Sequence, residues 1–139
     1  MDVTIQAQVL DIMMNLREKY KMAMILITHD LGVVAETCDR VAIVYAGEIV
    51  EIGTVNDVYL HPLHPYTRGL FDSIPKIDED TEQLMPIDGM MPNMADLPSG
   101  CCFHPRCKYA KPICSQKVPE TVCTNHRCKC HFPLEEVKE

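Results

Sequence analysis

Cysteine is the residue type in this sequence that points most directly to chemistry. Of the eight cysteines, seven lie between Cys101 and Cys130. In a secreted protein such a cluster suggests disulfides, whereas in a reducing compartment it suggests metal ligation. The beginning of the sequence, MDVTIQAQ, has neither the basic region nor the apolar stretch of a secretory signal. We therefore expect a cytoplasmic protein whose cysteines bind a metal.

A second candidate for chemistry is His29, which lies in the stretch ITHDL (27–31). The stretch directly follows an apolar run, MAMIL (22–26), of the kind that forms a buried strand. Strands of α/β proteins often present functional side chains at their carboxyl ends. His29 could therefore contact a ligand, although a histidine after a strand is more often an ordinary loop residue.

The hydrophobic periodicity before residue 75 predicts an ordered α/β region. In chain order we predict a helix over 3–20, a strand over 22–27, a helix over 31–38, strands over 40–46 and 48–52, and short helices over 54–60 and 66–74. Asp30 is expected to cap the second helix, Gly47 to form the turn between the last two strands, and Pro65 to begin the last helix. The order strand, helix, strand implies a parallel pair, to which the hairpin adds an antiparallel strand. Residues 75–98, with four prolines and the acidic stretch DEDTE, are expected to form an extended connector.

Composition excludes two classes of function. The formal net charge of -7 argues against binding to nucleic acid, whose phosphates attract basic proteins. No apolar run approaches the roughly 20 residues that a membrane-spanning helix needs. The chain is therefore expected to lie outside the bilayer, with a membrane protein as a partner at most.

Four stretches, taken together, are far more specific than any one residue. They are DVTIQAQVLDIM (2–13), LITHDLGVVAETCDRVAIVYAGEIVEIG (26–53), HPLHPYTRGLFDSIP (61–75) and PSGCCFHPRC (98–107). The first two resemble the D-loop, the switch-histidine loop and the following hairpin of an ABC-transporter ATP-binding subunit. The last two resemble the C-terminal extension of its oligopeptide/dipeptide importer branch. The resemblance covers nearly the whole chain.

The resemblance implies roles for two residues. His29 matches the switch histidine, which contacts the γ-phosphate of ATP and helps to orient the attacking water. Asp2 matches the D-loop aspartate, which lies at the interface between two such subunits.

However, no glycine in this sequence is followed by lysine, so the phosphate-binding motif G-x-x-x-x-G-K-[ST] is absent. The signature motif and the catalytic glutamate are absent too, and we expect this chain alone not to hydrolyse ATP. ATP and Mg²⁺ are expected only for the whole subunit.

The resemblance also implies a ligand set for the metal. Cys101, Cys107, Cys114 and Cys130 match the extension's four-cysteine pattern, which is linked to a four-iron four-sulfur cluster. Their spacing, C-x5-C-x6-C-x15-C, lacks the close C-x2-C pairs of most structural zinc sites. Four thiolates are the usual ligands of an iron–sulfur cluster. Zinc remains an alternative, because a mixed site with the nearby histidines is open: His104, His126 and His131.

Three further cysteines lie outside the matched pattern: Cys102, Cys123 and Cys128. Cys102 adjoins a predicted ligand and Cys128 is two residues from another, so either could replace its neighbour. The segment is also short and poor in apolar residues, so the alternative is a purely structural role for the metal, and a structural cluster would satisfy both interpretations.

The expected fold is α/β: a partial sheet of a P-loop nucleotide hydrolase of the ABC type, followed by a small cysteine-rich C-terminal domain. The expected divisions are 1–60 for the nucleotide-binding part, 61–98 for the HPYT helix and connector, and 99–139 for the cysteine-rich extension. The resemblance implies a peripheral position at the cytoplasmic face of the membrane. It implies permease subunits and a second nucleotide-binding subunit as partners in peptide import. The alternative is a stand-alone metal-binding module with a regulatory or structural role.

Overall fold

The computed structural model describes residues 3–74, 86–122 and 125–134. These residues belong to two compact units, one before and one after the junction between Cys38 and Asp39. Both helices and strands are present, which confirms the predicted α/β class. None of the helices in the described ranges is long and apolar enough to cross a membrane.

The first unit contains two helices that the sequence predicts well. Helix α1 spans Val3–Tyr20 and helix α2 spans Leu31–Thr37. The carboxylate of Asp30 caps α2 by accepting a hydrogen bond from the backbone N–H of Val33 at 3.1 Å, as predicted.

The strand predicted over 22–27 is wrong. These residues have no regular secondary structure, and the side chains of Ile25 and Ile27 are 91% and 94% exposed. A strand exists only where a neighbour completes its hydrogen bonds. No described residue pairs with this segment, so the predicted parallel pair of 22–27 and 40–46 is wrong as well.

The second unit is built on a β-hairpin, which the sequence predicts correctly. Strand β1 (Arg40–Tyr45) pairs antiparallel with strand β2 (Glu48–Thr54). The turn places Ala46 and Gly47 at φ values of 49° and 79°. Two residues in this left-handed region give a turn whose twist suits a hairpin. Strand β1 alternates exposed and buried side chains, with Val41, Ile43 and Tyr45 facing the core.

Two short strands from the cysteine-rich segment extend the same sheet. Strand β3 spans Thr121–Val122 and strand β4 spans Arg127–Lys129. The strand order is β1-β2-β4-β3, with antiparallel neighbours throughout the described part of the chain. The separate cysteine-rich domain predicted from the sequence is therefore not confirmed, because the second edge of β2 accepts β4 as its partner.

Four helical segments of the described chain accompany this sheet, and the sequence predicts the first two of them. They are α3 (Val55–Leu60), α4 (Pro65–Asp72), a 3-10 helix (His104–Arg106) and α5 (Pro112–Gln116). Pro65 begins α4 as predicted. Of the expected connector, residues 75–85 lie outside the described residues, and 86–98 contain neither helix nor strand.

An aromatic cluster holds these elements together. It consists of Tyr45 on β1, Tyr66 on α4 and Phe103 just before the 3-10 helix, with ring centroids 4.6 to 5.5 Å apart. Tyr45 is 1% exposed and Phe103 is 4% exposed. The cluster thus fixes the first cysteine-bearing turn against the hairpin and α4.

Candidate functional site

The four cysteines predicted as metal ligands line one cavity of the second unit. Cys101, Cys107, Cys114 and Cys130 all border this cavity, whose empty volume is about 340 Å³ when the open solvent at its mouth is included. Aromatic rings and histidines complete its wall, among them His64, Phe103, Tyr109 and Phe132. The structure therefore brings together the four thiols that the sequence pattern singles out from the eight cysteines.

Local backbone features place these cysteines around the cavity. Gly100 has a φ of 73°, and an added side chain there would collide with the carbonyl of Cys114. This close approach allows the N–H of Cys101 to donate a hydrogen bond to that same carbonyl at 2.8 Å. Cys107 follows the 3-10 helix and Cys114 lies inside α5. Cys130 follows β4, so the sheet itself carries one wall of the cavity.

The thiols differ in their acidity because their surroundings differ. Burial is the main reason that the pKa values of Cys101 and Cys107 are raised, with the other cavity cysteines adding to the effect. A hydrogen bond from the thiol of Cys128 lowers the pKa of Cys130 to about 7 and raises that of Cys128 itself. In the absence of a cation, burial thus favours the neutral form of two of these thiols.

Some of the remaining cysteines and histidines border the cavity, and others contact groups outside it. The thiol of Cys102 lies 3.8 Å from a carboxylate oxygen of Glu48, outside the cavity wall. Cys128 is 1% exposed and also lies outside that wall, whereas Cys123 lies outside the described residues. His104 and His131 border the cavity, but each uses one ring nitrogen on a backbone carbonyl.

The geometry of a site for one metal ion is absent from the described ranges. No group of three or more His, Cys, Asp or Glu side chains in them could hold a single ion. The predicted mixed Cys/His zinc site therefore has no counterpart in the described part of the chain, and the same absence gives no support to the predicted iron–sulfur cluster. His126, one of its candidate ligands, contacts a carboxylate instead.

That carboxylate belongs to Glu51, which the sequence did not single out. Glu51 is 1% exposed, and its oxygens accept hydrogen bonds from the backbone N–H groups of Leu63 and His64 at 2.8 and 2.9 Å. One of its oxygens also lies 2.7 Å from Nε2 of His126. These partners come from two segments distant from Glu51, so no spacing within EIVEI could have predicted them.

His64 is the other buried polar residue at the cavity. It is 1% exposed and its Nδ1 accepts a hydrogen bond from the N–H of Tyr66 at 3.0 Å, which caps α4. Burial lowers the pKa of His64 to about 4, against a smaller opposite effect of the Lys129 backbone. For its buried Nε2, the described part of the chain offers no hydrogen-bond partner of good geometry. At neutral pH this ring is therefore uncharged.

Of the two residues expected to act in ATP hydrolysis, the structure describes only His29, which lies in the first unit. His29 is exposed and precedes the capping residue of α2. Asp2 lies outside the described residues. The structure thus places His29 just before the N-terminus of α2, and its catalytic role remains a prediction.

Comparison with known proteins identifies close relatives. Residues 50–114 match the sequence model of a family described as the C-terminal region of oligopeptide/dipeptide transporters. The match includes Glu51, His64 and three of the four cavity cysteines.

Individual relatives match over nearly the whole chain. The dipeptide transport ATP-binding protein DppD of Haemophilus influenzae is 44% identical over 137 residues, which are 98% of this chain and 42% of the relative. The oligopeptide transport ATP-binding protein OppD of the same organism is 46% identical over 126 residues, 91% of this chain and 39% of the relative. OppD of Salmonella typhimurium is 41% identical over 138 residues, 99% of this chain and 41% of the relative. This chain spans about two fifths of the length of these curated relatives.

Proposed function

We propose that this chain forms part of a subunit that couples ATP hydrolysis to peptide import. The reason is that the chain belongs to the family of oligopeptide and dipeptide transport ATP-binding proteins. The observation that carries this proposal is the match to such proteins over both units of the chain. The partners are then membrane permease subunits and a second nucleotide-binding subunit, at the cytoplasmic face of the membrane. A stand-alone metal-binding module is a weaker proposal, because the relatives match far beyond the cysteine-rich segment.

The proposal assigns segments of the chain to parts of that subunit. Residues 1–60 belong to the nucleotide-binding domain, 61–98 to a linking region and 99–139 to the extension that carries the metal. The chain has no phosphate-binding loop, so its own contribution to the ATP site is limited to His29 and Asp2. Calorimetry should find no tight ATP binding by this chain alone.

In the whole subunit, His29 acts on the γ-phosphate. An imidazole N–H can donate a hydrogen bond to a phosphate oxygen and stabilise the charge that develops during phosphoryl transfer. The exposed position of His29 beside the capped start of α2 supports this role, because the side chain can reach a ligand from a fixed backbone.

A substitution in the complete subunit tests this role. His29→Ala should lower ATP turnover by about 10²- to 10³-fold, as loss of one such donor does, with little change in ATP affinity. His61→Ala is a matched control, because His61 is also exposed but follows α3 in the other unit. Equal turnover in His29→Ala and the parent would exclude the switch role.

We further propose that Cys101, Cys107, Cys114 and Cys130 hold an iron–sulfur cluster of the four-iron type. All four thiols border one cavity, while Cys102 and Cys128 do not. A single ion draws its ligands to one point, whereas each thiolate of a four-iron cluster binds a different iron. Four thiols that surround a shared cavity are the arrangement that a four-iron cluster needs.

A bound cluster would supply a covalent cross-link among four segments. The first cysteine follows the Gly100 turn, the second ends the 3-10 helix, the third lies in α5 and the fourth follows β4. These segments are short, and metal binding adds folding free energy to such structures. The raised pKa values of Cys101 and Cys107 make their deprotonation depend on a bound cation.

Anaerobic purification tests the cluster directly. Iron and acid-labile sulfide should both be present, and Cys107→Ser or Cys114→Ser should abolish both. Cys102→Ser should retain them, because that thiol faces Glu48 rather than the cavity. A colourless preparation that contains one zinc per chain and no sulfide would refute the cluster and favour structural zinc.

A further inference from the structure

His64 is a buried side chain whose position the proposed cluster does not by itself explain. It is 1% exposed and borders the four-cysteine cavity, although it lies far from the cysteines in sequence. Its backbone N–H is bound by the carboxylate of Glu51 at 2.9 Å, and its ring contacts Phe103 with centroids 5.8 Å apart. The first contact holds the backbone of His64 in place, and the second holds its ring at the cavity wall.

The hydrogen bonds of the ring determine which nitrogen carries the proton. Nδ1 accepts from the N–H of Tyr66 at 3.0 Å, so Nδ1 has no proton of its own. In a neutral imidazole the proton must then be on Nε2. Nε2 is thus a donor, and among the described residues no acceptor of good hydrogen-bond geometry is found for it, although the Lys129 backbone lies close enough to affect the ring. Buried donors are rarely left unpaired in folded proteins, and such an atom at a cavity calls for an explanation.

We propose that Nε2 of His64 donates a hydrogen bond to a sulfur atom of the iron–sulfur cluster held in the four-cysteine cavity. This inference rests on the proposed cluster and adds a residue that tunes it. Cluster sulfur atoms carry negative charge and accept hydrogen bonds, and such bonds make reduction of the cluster more favourable. His64 therefore raises the reduction potential of the cluster through this hydrogen bond, while the four cysteines hold the irons.

Two substitutions of His64 separate its two nitrogens. His64→Asn retains an oxygen near the Nδ1 position, which can still cap α4, but removes the donor at Nε2. His64→Gln is long enough to place an amide N–H close to the Nε2 position. His61→Asn is the matched control, because His61 is exposed and lies outside the cavity.

The experiment uses the whole chain, purified without air, and measures iron, acid-labile sulfide and the one-electron reduction potential at an electrode. We expect the same iron and sulfide content in all four proteins. The potential of His64→Asn should shift to more negative values than that of the parent, whereas His64→Gln and His61→Asn should remain near the parent.

The outcomes distinguish the two proposals. A parent protein without iron and sulfide would overturn the cluster and this inference with it. A loaded His64→Asn with the parent's potential would overturn the inference alone, and would indicate that the Lys129 backbone satisfies Nε2. If His64→Asn loses the cluster, the comparison rests on His64→Gln, and a lowered potential in that loaded variant would overturn the donor role.

Discussion

One carboxylate oxygen of Glu51 lies 2.7 Å from Nε2 of His126, next to the strand pair β2–β4. The side chain of Glu51 is fully buried and that of His126 is 15% exposed. Because the same carboxylate also binds the N–H groups of Leu63 and His64, it joins the hairpin to the start of α4 and to the start of β4. This one residue therefore connects three segments that meet at the cavity.

We expect Glu51→Ala to destabilise the chain strongly. The substitution removes the acceptor of two backbone donors and one contact of His126 in a buried place, and breaking such a site typically costs about 3–5 kcal/mol. Glu48→Ala is the matched control, since Glu48 also lies on β2 and pairs with Lys129 at 2.9 Å but is 42% exposed. Glu48→Ala should lower the free energy of unfolding by less than about 1 kcal/mol. Urea unfolding measures both, and equal losses would show that Glu51 does not have this role.

Arg106 is expected to matter through the shape of its guanidinium group. Its Nε and Nη2 donate to the carbonyls of Asp88 and Ile87 at 3.0 and 3.1 Å, and its Nη1 approaches the hydroxyl of Tyr45 at 3.4 Å. Lysine keeps the charge but cannot make these bonds together. Arg106→Lys should lower the free energy of unfolding by about 1–3 kcal/mol.

The control for Arg106 is Arg127→Lys on β4, where the side chain is exposed. It should leave the unfolding midpoint within experimental error of the parent. A parent-like midpoint for Arg106→Lys would show that its charge alone is sufficient.

Asp57 provides a test by pH. The hydroxyl of Thr54 donates to its carboxylate at 2.6 Å and lowers the pKa of Asp57 below the ordinary value of 3.8. Because the folded pKa is the lower one, this interaction stabilises the fold above pH 3.8 and is lost as the pH falls through the folded pKa. Thr54→Val should raise the pKa of Asp57 in an NMR titration, and Thr54→Ser should not. An unchanged pKa in Thr54→Val would assign the shift to other charges.

Gly100 should not tolerate a side chain. Its φ of 73° is unfavourable for other residues, and an added Cβ would collide with the carbonyl of Cys114. Gly100→Ala should lose at least about 1–2 kcal/mol of stability from the backbone conformation alone. Gly100→Asn separates the causes, since asparagine tolerates positive φ but still carries the Cβ. Thermal unfolding of both variants, with Gly32→Ala in α2 as the control, measures the effect. A parent-like Gly100→Ala would contradict it.

Local features of the chain could be predicted because local residues determine them. The periodicity of 3–20, the carboxylate of Asp30 and the ring of Pro65 act within a few residues of where they stand, and α1, α2 and α4 follow. The hairpin also depends on adjacent residues. The strand over 22–27 failed because an apolar run becomes a strand only beside a partner, and none of the described residues provides one.

The four cysteines that border the cavity could be predicted from the sequence, whereas the residues around them could not. The cysteine pattern, through the family resemblance, singled out the four thiols that border the cavity. Strand β4 has only three residues, too few to show a period, so its pairing with β2 could not be foreseen. His64 and Glu51 were missed for a related reason, since their importance arises from contacts with distant segments.

The pairing of β2 with β4 has a consequence for the time course of folding. Glu51 and His126 are separated by 75 residues, so their contact closes a long loop, and such contacts slow folding. The β1–β2 hairpin, closed by two residues, can form within microseconds. The cavity is complete only after the long loop has closed. A group bound there would therefore act mainly by slowing the unfolding of the finished structure, and its benefit would appear as a longer lifetime rather than as faster folding.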